Sequence, residues 1–136
     1  WEGYAKHARG AIEKAFNALK PDSWMDIKHM AAKNYGKTDA EIFDLYFSVS
    51  WYQGEPGALL LAYKYFEEPE EALIANVNLG GDTVHRNSVL GAIIGCIHGV
   101  KQAFPQRWTN SLAELQISEA KIAAFADAGL KFNAAK

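Results

Sequence analysis

Apolar residues recur every third or fourth position along most of this chain, and nowhere do they alternate with the period of two that a half-buried strand needs. Tyr4, Ala8, Ala11, Ile12, Ala15, Phe16 and Leu19 form such a stripe, with Lys6, Arg9, Glu13 and Lys14 between them. This predicts an amphipathic helix over residues 2–19, ended by Pro21. Asp22 or Ser23 is placed to cap a second helix over 24–34, with Gly36 where a helix C-terminus wants a left-handed residue. Thr38-Asp39-Ala40-Glu41 has the spacing of a capping box, and it opens a third helix buried through Ile42, Leu45, Tyr46 and Val49. Gln53-Gly54-Glu55-Pro56-Gly57 reads as a break before a fourth helix, Ala58 to Phe66. Pro69, with Glu70 and Glu71 behind it, starts a fifth over 69–77 that Asn78-Leu79-Gly80-Gly81 terminates. The sixth and longest runs from about Asp82 to Val100, a short one starts at Pro105, and Ser118 caps a last helix over 119–131 ending near Gly129.

The pattern as a whole predicts an all-α protein, a compact orthogonal helical bundle without linker, repeat or low-complexity tract. Gly91, Gly95 and Gly99 lie four apart on the sixth helix and leave a groove along which a neighbouring helix can approach closely. The uninterrupted apolar stretch there is too short for a bilayer and runs into His98 and Lys101, so it reads as a buried central helix.

Charge narrows the partners. With 14 Lys+Arg against 16 Asp+Glu in 136 residues, the net charge is −2. No basic surface is available to neutralise phosphates or anionic lipid, which argues against nucleic acid and membrane as partners. The single cysteine, Cys96, cannot close an intrachain disulfide, and a lone thiol suits a reducing compartment. An intracellular, cytoplasmic location is therefore expected, with no secretory signal pattern after Trp1 and any targeting information upstream of it lost. Cys96 has no cationic neighbour to activate a thiolate and reads as a packing residue. His7, His29 and His98 have no partner at ligand spacing and read as structural or surface histidines.

The chemistry concentrates in Asn76-Val77-Asn78-Leu79-Gly80-Gly81-Asp82-Thr83-Val84-His85-Arg86-Asn87. Two glycines free the backbone for a tight turn, and Asp82 follows at the start of a helix, where unpaired N–H groups and the helix dipole converge. His85 and Arg86 stand in the first turn. Such an arrangement can hold a metal or an anion, while Asp82 by itself can serve simply as an N-cap.

This segment, followed by Gly91-Ala92-Ile93-Ile94-Gly95 and Phe104-Pro105-Gln106-Arg107-Trp108, resembles the C-terminal signature of the ADP-ribosylglycohydrolase family, worded N-L-G-G-D-T-D-T, G-A-L-x-G and I-P-x-x-W. Order and spacing agree across about residues 50–112, and Glu55-Pro56-Gly57-Ala58-Leu59 is similar to the family's P-x-A-L helix start. The resemblance implies an all-α bundle that hydrolyses a bond at the anomeric carbon of an ADP-ribosyl group. It also implies two divalent cations, magnesium or manganese, held between the D-T-D-T motif and an N-terminal T-D-D-T-like motif. Residues 1–136 are then either one domain or the C-terminal half of a larger one, the rest of the site coming from a missing N-terminal segment or a second chain.

Carried over residue by residue, Asp82 matches the first carboxylate and Thr83 the residue after it. Val84 replaces the second carboxylate and His85 the hydroxyl ligand, and a valine cannot bind a hard cation. Fewer than two ions are expected, any single one held through Asp82, Thr83 and His85. Two accounts remain open. In one the site is rebuilt: Asp82 and His85 act as catalytic groups, and Gly80, Gly81 and Arg86 bind a nucleotide-sugar or ADP-ribosylated substrate whose adenine stacks on Trp51 and Tyr52. In the other the chain is a non-catalytic binding or structural, crystallin-like derivative that has lost its metals.

Overall fold

The computed structural model describes residues 2–19, 26–32, 36–47, 54–111 and 115–134, and every regular element among them is an α-helix. Residues Trp1–Phe104 form one compact unit, containing α1 (Glu2–Leu19), α2 (Ile27–Ala31), α3 (Asp39–Phe47), α4 (Gly54–Lys64), α5 (Pro69–Leu79), α6 (Thr83–His98) and α7 (Val100–Ala103). Residues Pro105–Lys136 form a second unit with α8 (Gln106–Thr109) and α9 (Leu115–Ala134). Among the described residues no helix is long and apolar enough to cross a membrane.

The core of the first unit is built around α4, not α6 as the glycine stripe predicts. Gly54 and every residue from Pro56 to Tyr63 are buried, as befits a helix that is apolar on all sides, and α1, α2, α5 and α6 pack around it. Phe16 from α1, Ile27 from α2, Ile42 from α3, Leu61 from α4 and Leu90 from α6 are fully buried. The segment expected to break the chain at Gly54-Glu55-Pro56-Gly57 is the first turn of α4. Pro56 is tolerated there because the first-turn N–H groups have no acceptor within the helix in any case.

Helix ends follow local chemistry where that chemistry is strong. The Thr38–Glu41 capping box forms: Glu41 N–H donates to Thr38 Oγ1 at 3.3 Å, and Thr38 N–H and O–H donate to Glu41 Oε2 at 2.6 and 2.8 Å. For α2 the cap is Asp26, whose carboxylate accepts the His29 N–H at 2.9 Å. Asp22 and Ser23 lie outside the described residues. Gly99 takes a φ of 76°, stopping α6 short of the expected Val100 and letting α7 start afresh. Gly91 and Gly95 receive not a helix but the Phe104 ring, whose Cε2 lies 3.5 Å from where a Gly95 Cβ would be. Cys96, expected in the packing, is exposed, because Ile94 and Ile97 take the inward positions of α6. With His7, Ala8, Ala11, Ile12 and Ile93 it lines an apolar groove of about 530 Å³ between α1 and α6.

In the second unit α9 starts earlier and ends later than expected. Gly129 does not end it, since a glycine without positive φ costs a helix only about 1 kcal/mol. Ile122, Phe125, Leu130 and Phe132 are exposed on it.

Asp39, at the start of α3, ties that helix to the end of α4. Lys64 Nζ donates to its Oδ1, and Tyr65 O–H donates to Oδ2 at 2.6 Å. Burial, and then the bond to Asp39, push the Tyr65 phenol above its ordinary value of 10.0. A raised folded-state pKa gives stability that is fully present below the unfolded value and is lost as pH rises past it. Urea unfolding between about pH 9 and 11 should therefore show a steeper alkaline loss for the natural chain than for Tyr65→Phe. Parallel slopes would mean that Asp39 does not hold the phenol.

Candidate functional site

Three helix ends converge at the turn between α5 and α6. Gly80, with φ 70° and ψ −159°, and Gly81, with φ 66°, occupy backbone regions that side chains exclude, and they reverse the chain in two residues. Asp82 then caps α6, its Oδ1 accepting the His85 N–H at 3.1 Å. The i to i+3 relation between Asp82 and His85 is thus made through the His85 backbone, and the imidazole points elsewhere. Its Nε2 lies 3.5 Å from Glu55 Oε1 in the first turn of α4, with both side chains about half exposed. The ring rests on Gly54, where a Cβ would come within 2.7 Å of His85 Cδ2.

Arg86 turns inward. Only 9% of it is exposed, and its stem lies against Gly54 and Gly57. The guanidinium sits 5.5 Å from the centre of the Phe43 ring. Its Nε–H donates to Asn76 Oδ1 at 2.6 Å, and a terminal N–H donates to the Gly80 carbonyl. Asn76 is wholly buried on α5 and uses its other end as well, donating from Nδ2 to the Thr83 carbonyl at 3.0 Å. One amide and one guanidinium thereby lock the end of α5, the glycine turn and the start of α6 together. Burial lowers the Arg86 pKa and the Asp82 charge opposes that shift, and an arginine stays protonated throughout.

Of the residues singled out in the sequence, Gly80, Gly81, Asp82, Thr83, His85 and Arg86 are gathered at this turn. Trp51 and Tyr52 lie outside the described residues, as do Val49 and the side chains of Leu45 and Tyr46. The substrate-binding role read for Arg86 meets a guanidinium already engaged by internal acceptors. Sequence reasoning missed Asn76 as a bridge, Phe43 as the ring under Arg86, and Glu55 as the neighbour of His85. Glu55 and Asn76 both stand inside the quoted motif segments, but nothing in their own spacing announces contacts between helices.

What the rim offers chemically is an imidazole beside one carboxylate and a second carboxylate at the helix cap, a set suited to moving protons. Among the described residues no three His, Cys, Asp or Glu side chains converge on a metal position. Val84 points outward at 78% exposure, and one Asp82 oxygen is already taken by a backbone N–H.

The family model for ADP-ribosylglycohydrolase matches residues 3–135, well beyond the stretch that carries the motifs. No curated protein and no solved structure matches the chain. The chain belongs to the ADP-ribosylglycohydrolase family.

Proposed function

We propose that this member of the ADP-ribosylglycohydrolase family is a hydrolase acting at the anomeric carbon of an ADP-ribosyl or related ribosyl substrate. The observation that carries the reading is a half-exposed imidazole beside Glu55, on the residue whose backbone N–H the Asp82 carboxylate accepts, next to a glycine turn that keeps the family's Gly-Gly-Asp-Thr wording. Cleavage at an anomeric carbon needs one group to take a proton from water and another to give one to the leaving group. His85 and Asp82 are the groups for these steps, with Glu55 orienting the imidazole. The Gly80 and Gly81 backbone lies open to substrate, and Trp51 and Tyr52 stack the adenine. The remainder of the site comes from a preceding segment or a second chain, and the protein works inside the cell. At most one magnesium or manganese ion, on Asp82, Thr83 and His85, is compatible with the donor set, and no step here depends on it.

A second reading is favoured by two specific observations. The Asp82 carboxylate caps its helix and Arg86 is spent on internal acceptors, as expected of a binding or structural derivative, crystallin-like and without catalysis. The two readings part on one assay. The whole chain is incubated with ADP-ribose joined to a guanidinium nitrogen or to a hydroxyl oxygen, and free ADP-ribose is followed by chromatography. The hydrolase releases it, and Asp82→Asn, which preserves the cap while removing the charge, slows release about a hundredfold. Binding of ADP-ribose by calorimetry without release from either linkage would establish the non-catalytic reading.

A further inference from the structure

We propose that the buried Arg86 guanidinium takes the place of the pair of divalent cations at the Gly-Gly-Asp-Thr turn, so that this chain carries the positive charge of its site covalently. The inference rests on the reading of this turn as the working site, but it is tested by metal binding without substrate, so its failure and the failure of hydrolysis are told apart.

Position comes first. One terminal nitrogen of Arg86 is bonded to the Gly80 carbonyl, and the other would lie 3.5 Å from a Cβ at Gly81. The charge therefore sits directly under the residues leading into Asp82, close enough for the Asp82 carboxylate to act on it. It also consumes an oxygen donor, since the Gly80 carbonyl is the kind of hard ligand a magnesium or manganese ion would use.

Compensation comes second. Among the described residues no carboxylate lies within ion-pair distance of this guanidinium, and its hydrogen-bond acceptors, Asn76 Oδ1 and the Gly80 carbonyl, are neutral. Among these residues its charge is offset only through space, by Asp82, and is carried by the turn without an ion pair. A dication brought beside it meets direct repulsion in a partly desolvated setting, and the guanidinium cannot escape by losing its proton.

The third point is the loss on the other side of the balance. The carboxylate that would have held the second cation is the exposed Val84 side chain, and the hydroxyl ligand is His85, whose Nε2 is turned to Glu55. Negative charge has been removed and fixed positive charge supplied at one turn, and the Asn76 bridge holds that charge in place.

Manganese is titrated into the whole chain by calorimetry and by electron paramagnetic resonance, for the natural sequence, Val84→Asp, and Val84→Asp with Arg86→Gln. The natural chain should not load two ions. Val84→Asp, a change at an exposed position, should bind weakly, and adding Arg86→Gln should raise manganese affinity at least about tenfold through relief of repulsion. Two ions bound saturably per natural chain, or no gain on neutralising Arg86, would overturn the proposal. Should Arg86→Gln unfold the protein, manganese-induced broadening of the Gly80, Gly81 and His85 amide signals in the natural chain decides instead. No saturable broadening is expected, and broadening that saturates at two ions per chain overturns the idea.

Discussion

Asn76→Leu is expected to lower the unfolding free energy by about 3 to 5 kcal/mol, a large share of the roughly 5 to 15 kcal/mol that holds a domain together. The substitution keeps the volume and loses both bonds of the amide. It leaves the Arg86 Nε–H and the Thr83 carbonyl facing an apolar side chain at a position with no solvent exposure. A stranded donor on a charged group is the costlier of the two, because neither water nor another acceptor replaces the 2.6 Å contact. Denaturant titration followed by helical circular dichroism reads the effect as a lower midpoint at unchanged slope. A loss under about 1 kcal/mol would mean that water reaches the guanidinium and that the lock between α5 and α6 is loose.

Gly57→Val should cost about 3 kcal/mol even though glycine is among the poorest helix formers. A Cβ at Gly57 would sit 2.8 and 3.0 Å from two Phe43 ring carbons and 3.4 Å from Arg86 Cδ. The Phe43 ring also faces the Arg86 guanidinium, so it has little room to retreat. The overpacking penalty exceeds the propensity gain of at most about 1 kcal/mol. Gly10→Ala in α1 isolates the propensity effect, because a Cβ there meets nothing within 4 Å. That change should raise stability by about 0.5 to 1 kcal/mol, so thermal melts of the two variants should move in opposite directions. A stabilised Gly57→Val would show that α3 and α4 do not approach as closely as the Phe43 contact requires.

Several features of the site were open to reading along the chain because they are settled within three or four residues. The Thr38–Glu41 box and the Asp82 cap on His85 are i to i+3 contacts, and such contacts need no knowledge of where other helices lie. The end of α5 at Gly80 and the tight turn through Gly81 follow from the conformational freedom that only glycine has. The family itself was visible in the Gly-Gly-Asp-Thr wording, and the match over residues 3–135 extends it.

Local pattern does less well where a residue's worth depends on what faces it. Glycines spaced four apart say that something can come close, and the structure supplies the Phe104 ring where a helix was expected. Gly54 and Gly57 look like chain breakers in sequence. They lie inside α4 because absent side chains there admit the His85 ring, Phe43 and the Arg86 stem. Cys96 shares an apolar stretch with Ile94 and Ile97, yet the direction of the core decides that the two isoleucines are buried and the thiol is not.

By itself, then, the sequence determined the all-α class, both ends of α1, the starts of α3 and α5, and the position of the glycine turn with its capping carboxylate. These depend on backbone preferences and on hydrogen bonds between near neighbours in the chain, which act whatever the tertiary context. Only the tertiary structure decided that α4 is the core helix, that Arg86 points inward to Asn76 and Gly80, and that His85 faces Glu55 some thirty residues away. Burial of a charged side chain is decided by whether acceptors from other elements meet it, and that depends on how three helix ends come together.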